Sequence, residues 1–285
     1  VQGNPATVRQ HTDFTLWDKG HQRNCPFPVS VRKHGSAPYS IVVLHGGPGA
    51  PGSAMGLAQG TALASGAGVL EPFQSAHSIA EVIEELHRQL EINATAPATL
   101  IGHSWGAWLA PLSAAEHPEA VKSLFLLGSG PLDASYVPML DARRKANLSP
   151  DERIELDRLF LNIEEPGALA KAGALCGKAD DFDPLPEIIP PVQVDDAAYS
   201  TLWPEAAALR ANGALLETFR KVQCPLIFFH GETDPHPAEG IIKPLREADV
   251  QATFYLLPKC GHSPWKERHA RTVFFDLLLR HLDTK

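Results

Sequence analysis

Five short, near-continuous apolar runs punctuate the chain, at residues 41–44, 98–101, 123–127, 225–229 and 253–257. Turn residues bound each run, so each reads as a strand. Unbroken apolarity, in place of alternation, marks strands that helices cover on both faces. Between the runs, apolar positions recur at helical spacing. The clearest stretch opens at Ser78, with Glu81 three residues on as a capping box, and sets Ile79, Val82, Ile83, Leu86 and Leu90 on one face. Near the C-terminus Val273, Phe274, Leu277 and Leu278 repeat the pattern. Strands and helices in alternation predict a doubly wound, mostly parallel α/β sheet.

The rhythm breaks once. Between Gly130 and the run at 225 lie about 90 residues, where a crossover helix with its turns needs only ~20–30. Ser149-Pro150-Asp151-Glu152 supplies a helix start of its own: a cap, a proline at the first helical position and an acid three residues after the cap. Ile154, Leu156, Leu159, Phe160 and Ile163 give that helix an apolar side. The proline-rich residues 184–191 read as an irregular connector. Residues 131–223 are therefore expected to form a mostly helical cap, and residues 1–130 and 224–285 the sheet core.

Composition narrows the function. The 285 residues are 44 % apolar and 20 % charged, too hydrophobic for a disordered chain and ample for a buried core. Lys and Arg number 25 against 33 Asp and Glu, a net charge of −8. So acidic a chain is ill suited to phosphate backbones, and no nucleic-acid partner is expected. No run approaches the ~18 apolar residues of a membrane span. Residues 1–5 lack the basic-then-apolar pattern of a secretory signal. Cys25, Cys176, Cys224 and Cys260 are widely spaced and read as reduced thiols. The expectation is a cytoplasmic protein.

The chemistry concentrates at loops that follow strands. Gly102-His103-Ser104-Trp105-Gly106 fits G-x-S-x-G between a strand and a helix, where a sharp turn holds a serine nucleophile proud of the sheet. Serine needs a base, and the base an orienting acid. Asp234 and His262 each sit just past the carboxyl end of a strand, in the order nucleophile, acid, base. Asp133 is the alternative acid, and His236 and His269 are competing bases. His45-Gly46-Gly47-Pro48-Gly49 follows the first strand, and its N–H at Gly47 or Gly46 could join that of Trp105 in an oxyanion hole. Phe73 and Trp265 are candidates for lining a substrate pocket. Pro111 is expected to kink or shorten the elbow helix.

Rival chemistries are weaker. Gly47 to Gly52 also fits the dinucleotide pattern G-x-G-x-x-G, but Pro48 and Pro51 lack the N–H groups a pyrophosphate needs. The 13 histidines include no H-E-x-x-H, and the nearest cluster is His230, Asp234 and His236. No metal and no cofactor is expected.

HGGPG, GHSWG, the acid and the histidine, in this order, resemble the α/β-hydrolase family over residues 30–130 and 224–285, and HGGPG resembles its proline iminopeptidase branch. That branch usually reads GGSWG, whereas His103 gives the GHS of esterases. Where the branch carries D-Q-R-G, this chain reads Val69-Leu70-Glu71-Pro72-Phe73. The resemblance implies a serine hydrolase that forms an acyl-enzyme with Ser104, Asp234 and His262 as its triad. Its substrate would be a small molecule or short peptide, cleaved as an iminopeptidase or as a carboxylesterase does. A non-catalytic receptor that keeps the hydrolase shell is the alternative from another class.

Overall fold

The computed structural model describes residues 30–187 and 190–282; the readings on residues 1–5 and Cys25 fall outside them. The described strands are β1 (Val31–His34), β2 (Tyr39–Leu44), β3 (Gly68–Pro72), β4 (Ala98–His103), β5 (Val121–Leu127), β6 (Leu226–Gly231) and β7 (Thr253–Leu257). They form one sheet in the order β1-β3-β2-β4-β5-β6-β7. β1 runs antiparallel to β3, and every other pairing is parallel. This is the doubly wound, mostly parallel sheet that the apolar runs predict.

The reason for the unbroken runs is visible in the side chains. Successive residues of a strand face opposite sides, and each side has its own core. Val42, Leu44, Leu100, Leu124, Leu126 and Phe228 enter one cluster. Their neighbours Ile41, Val43, Ile101, Phe125, Leu127 and Phe229 enter the other. Helices α1 (Met55–Ser65) and α10 (Arg271–Leu282) cover the second face. The first is covered by α2 (Ile79–Asn93) and α3 (Gly106–Glu116), with α9 (Glu239–Glu247) beyond. Ser78 caps α2, its hydroxyl accepting from the Glu81 N–H at 3.3 Å. Pro111 lies within α3, which runs five residues past it and is not shortened.

β1 and β3 escape the reading by apolar runs because a buried ion pair interrupts them. Glu71, fully buried in β3, meets Arg32 at 3.1 Å and His34 at 2.9 Å on β1. Arg32 and Glu71 stand directly opposite each other in the antiparallel register.

The long insert carries α4 (Val137–Ala146), α5 (Pro150–Leu161), α6 (Ala168–Asp180), α7 (Asp196–Ala211) and α8 (Ala214–Lys221). The capping box at Ser149 and Glu152 is complete, with Pro150 at the first helical position. The apolar side of α5 is narrower than expected. Leu156 and Leu159 are buried with Leu148, Ala168, Ala172 and Ala179, whereas Ile154 is 70 % exposed and Phe160 42 %. Val273 of α10 is likewise half exposed, while Phe274, Phe275 and Leu278 are buried. The described residues of 184–191 form no helix or strand. Of the insert, α5 and α6, with Leu148 before them, hold a small core of their own, whereas Leu202, Leu215 and Phe219 of α7 and α8 join the core of the sheet.

Candidate active site

β4 ends at His103, and α3 begins at Gly106. The two residues between make the turn, and Ser104 adopts φ +54° there. A side chain rarely accepts that conformation, which costs about 1–3 kcal/mol. Glycines permit the turn. A Cβ on Gly102 would stand 2.1 Å from the Gly106 carbonyl oxygen, and one on Gly106 2.6 Å from that of Leu44. The Ser104 N–H donates to the Leu127 carbonyl at 2.9 Å, which fixes the turn against β5.

The loop after β2 passes over this turn. A Cβ at Gly46 would lie 3.4 Å from Ser104 Cβ. Gly47 takes φ +114°. Among the hydrogen bonds of the described residues, none uses the N–H of Gly46, Gly47 or Trp105. His45, fully buried, donates from Nδ1 to the Gly46 carbonyl at 2.7 Å, and burial lowers its pKa to about 4. Trp105 turns its indole N–H to Gln74 at 2.9 Å, within the fold.

Asp234, in the loop after β6, is buried and holds His262 Nδ1 at 2.9 Å through Oδ2. Burial alone would raise its carboxyl and lower the imidazole. The facing groups outweigh burial: the charge of His262 first, with the neighbouring imidazoles of His236 and His230, holds Asp234 well below the usual carboxylate range. In return Asp234, with Asp180 further off, lifts His262 above the usual histidine range. Ser104 and His262 flank the same end of β5. The His262 ring packs on Gly128, where a Cβ would stand 2.8 Å from Nδ1. Among the described residues no hydrogen bond joins Ser104 Oγ to His262.

The other candidates fall elsewhere. Asp133 is exposed and caps a short turn of helix, accepting from the Ser135 N–H at 2.8 Å. His269 lies at the surface, 3.3 Å from Asp183. His236 also binds Asp234, on the other carboxylate oxygen. Trp265 is buried, edge-on to the His103 ring at 4.6 Å, with its indole N–H on Glu187 at 3.0 Å. Phe73 lies under the Arg32 guanidinium, 4.9 Å from its ring centroid.

Several contributors escaped the sequence reading. His103 is one: its Nε2–H donates to the His262 carbonyl at 3.2 Å, tying the elbow to the loop that carries the imidazole. Burial, then the charge of His262, holds His103 well below the usual histidine range. Arg144 of α4 grips the carboxylate of Asp180, the last residue of α6, at 2.8 and 2.6 Å. The Asp180 carbonyl takes the His262 N–H at 2.9 Å, so the insert touches the site directly. Asp180, His236 and His262 cluster closely enough to consider a metal ion. The Arg144 guanidinium already supplies the positive charge there, 3.4 Å from His236 Nε2. These residues therefore fit a metal poorly.

Glu267 is fully buried and accepts the N–H groups of Phe182, Asp183 and Gly261 at 2.7, 2.8 and 3.0 Å. It joins the exit of α6 to the residue before His262. Glu267→Gln sets an amide N–H against at least one of these donors, and an unsatisfied buried group costs about 1–3 kcal/mol. A denaturation midpoint unchanged from the parent would show that the site relaxes around the amide.

A cleft of about 460 Å³ opens beside Asp234 and His236, walled by Arg143, Asn147 and Glu239. Neither Ser104 nor His262 lines it.

Against this geometry, the sequence profile of the alpha/beta hydrolase family matches residues 29–274. The chain belongs to that family. It is similar to the pimeloyl-[acyl-carrier protein] methyl ester esterase of Chromobacterium violaceum, with 28 % identity over 195 residues, 66 % of this chain and 71 % of that one. Among solved structures it is similar to VinJ, with a TM-score of 0.64, 19 % identity and coverage of 90 % and 94 % of the two chains. It is also similar to proline iminopeptidase from Mycobacterium smegmatis, with a TM-score of 0.58, 18 % identity and coverage of 89 % and 94 %. At such identities the structures establish the fold alone. The family and the esterase relative together support a hydrolase, and no described helix is long and apolar enough to cross a membrane.

Proposed function

We propose that the protein is a cytoplasmic serine hydrolase that cleaves an ester of a small molecule through an acyl-enzyme. In this reading Ser104 Oγ attacks the carbonyl carbon and His262 takes the hydroxyl proton. Asp234 fixes the imidazole with Nδ1–H toward itself, which leaves Nε2 as the base. The N–H groups of Trp105 and of Gly47 or Gly46 receive the oxyanion. His262 then protonates the leaving group, and water releases the acyl chain by the same route in reverse.

The observation that carries the reading is the positive φ of Ser104 at a strand-to-helix turn. Strain of this kind persists where the surroundings enforce it, and it gathers at functional sites. The Asp234–His262 hydrogen bond supplies the oriented base. In unliganded sites the bond from base to nucleophile is often long and tightens only with substrate.

An ester is favoured over an N-terminal prolyl peptide on two grounds. The curated relative is a methyl ester esterase. An aminopeptidase also needs a carboxylate for the substrate ammonium, and the buried ones around His262 are already engaged, Asp180 by Arg144, Asp234 by imidazoles and Glu267 by backbone N–H groups. The iminopeptidase reading retains the HGGPG loop and one structural neighbour.

A fluorophosphonate probe followed by intact mass tests the nucleophile: a single adduct that maps to Ser104 is expected, and its absence favours the receptor. Short-chain aryl esters beside prolyl and alanyl arylamides test the bond. Turnover of the arylamides alone would restore the peptidase.

The acid side of the pH profile follows from His262. Only its neutral form can act as base, and Asp234 raises its proton affinity. The logarithm of kcat/KM is therefore expected to fall as pH drops, with a midpoint above about 6.5, the ordinary histidine value. A midpoint below that value would remove His262 as the base.

A further inference from the structure

Asp234 does not serve His262 alone. Its Oδ1 lies 2.7 Å from His236 Nδ1 and 3.0 Å from the His236 backbone N–H, while Oδ2 faces His262. The rings of His236 and His262 stack, with centroids 4.4 Å apart and planes 19° from parallel.

The neighbours settle which nitrogen of His236 carries the proton. Nε2 faces an Nη2 of Arg144 at 3.4 Å, and a guanidinium only donates. Nε2 must therefore accept, and the proton sits on Nδ1, pointing at Asp234. Burial first, then the charges of His262 and Arg144, disfavour a second proton on His236 despite the nearby carboxylate.

We propose that His236 is a positioning residue for Ser104, His262 and Asp234: its Nδ1–H takes up Oδ1 of Asp234 and turns Oδ2 to His262, and its ring backs the ring of the base. The inference rests on the serine-hydrolase reading of the same site. Without the Nδ1–H, the carboxylate loses a side-chain donor and directs more of its charge to His262. The base then binds its proton more tightly and is less well held. The other groups around His262 are His230 on β6, Asp180 on α6, Arg144 on α4 and His103 at the end of β4. None of them donates to Asp234 Oδ1 within hydrogen-bond distance among the described residues.

Two substitutions and one spectrum test this. In His236→Phe the stacked ring stays and the donor goes, so the titration midpoint of His262, followed by NMR of histidine-labelled protein, should rise by about one pH unit. The kcat should fall about tenfold, with KM within about twofold. His236→Asn returns a short N–H donor without the stacked ring, so it should bring the midpoint back to within about 0.3 pH unit of the parent and recover most, not all, of kcat. A folded His236→Phe protein with an unshifted midpoint and kcat would reduce His236 to packing.

Should His236→Phe not fold, the parent spectrum decides. His236 should remain neutral with its proton on Nδ1 across the pH range in which His262 titrates. A proton on Nε2, or a charged His236 in that range, overturns the proposal. The two readings fail separately: no fluorophosphonate adduct on Ser104 sinks the hydrolase, whereas the spectrum of His236 stands or falls without turnover.

Discussion

Ser104→Ala is expected to abolish turnover, with a loss on the order of 10⁶ in kcat. The size follows from what is removed. Without Oγ there is no acyl-enzyme, and only binding and the oxyanion donors remain to act on the substrate. The fold should not suffer, because Ser104 Oγ has no hydrogen-bond partner among the described residues. The stability change should stay within about 0.5 kcal/mol. Alanine at φ +54° carries the same strain as serine, so the turn gains and loses nothing through its backbone. Steady-state rates and a denaturation curve on one preparation separate the two effects. Retained turnover would mean that the nucleophile lies elsewhere.

Asp234→Asn is expected to cost on the order of 10⁴ in kcat. A carboxylate accepts from both sides, and here both sides are in use: Oδ1 by His236 and Oδ2 by His262. An amide has one oxygen and one NH₂, so it must present N–H groups to one imidazole that is itself a donor. If that imidazole is His262, it turns or changes tautomer, and Nε2 ceases to be the base. The substitution also removes the charge that lifts His262, so any residual activity should extend to lower pH than in the parent. A loss below about tenfold would remove Asp234 as the acid; Asp133, exposed and capping its own turn, is not placed to replace it.

Much of the molecule was legible along the chain because its information is local. A buried parallel strand must offer apolar side chains to both faces, so 41–44, 98–101 and 123–127 announce themselves. The caps at Ser78 and Ser149 rest on backbone N–H groups three residues away and are equally readable. So were the positions of Ser104, Asp234 and His262, each just beyond a strand end. β1 and β3 were not, because Arg32, His34 and Glu71 interrupt their apolar positions and find one another only across about 40 residues of chain. The apolar side of α5 was over-read for a related reason: spacing shows which residues share a face, not how much of that face another helix covers.

Sequence by itself thus determined the layered fold and which segments could carry chemistry, since strand burial, helix capping and turn shape depend on near neighbours. Tertiary structure alone decided who touches whom at the site. It placed two imidazoles on Asp234, excluded His269 and Asp133 from that contact, and brought Arg144, Asp180 and Glu267 against the His262 loop. Those contacts join residues up to 92 positions apart, and no local pattern encodes them. They exist because the sheet gathers its strand ends at one rim and α6 of the insert ends against the His262 loop there.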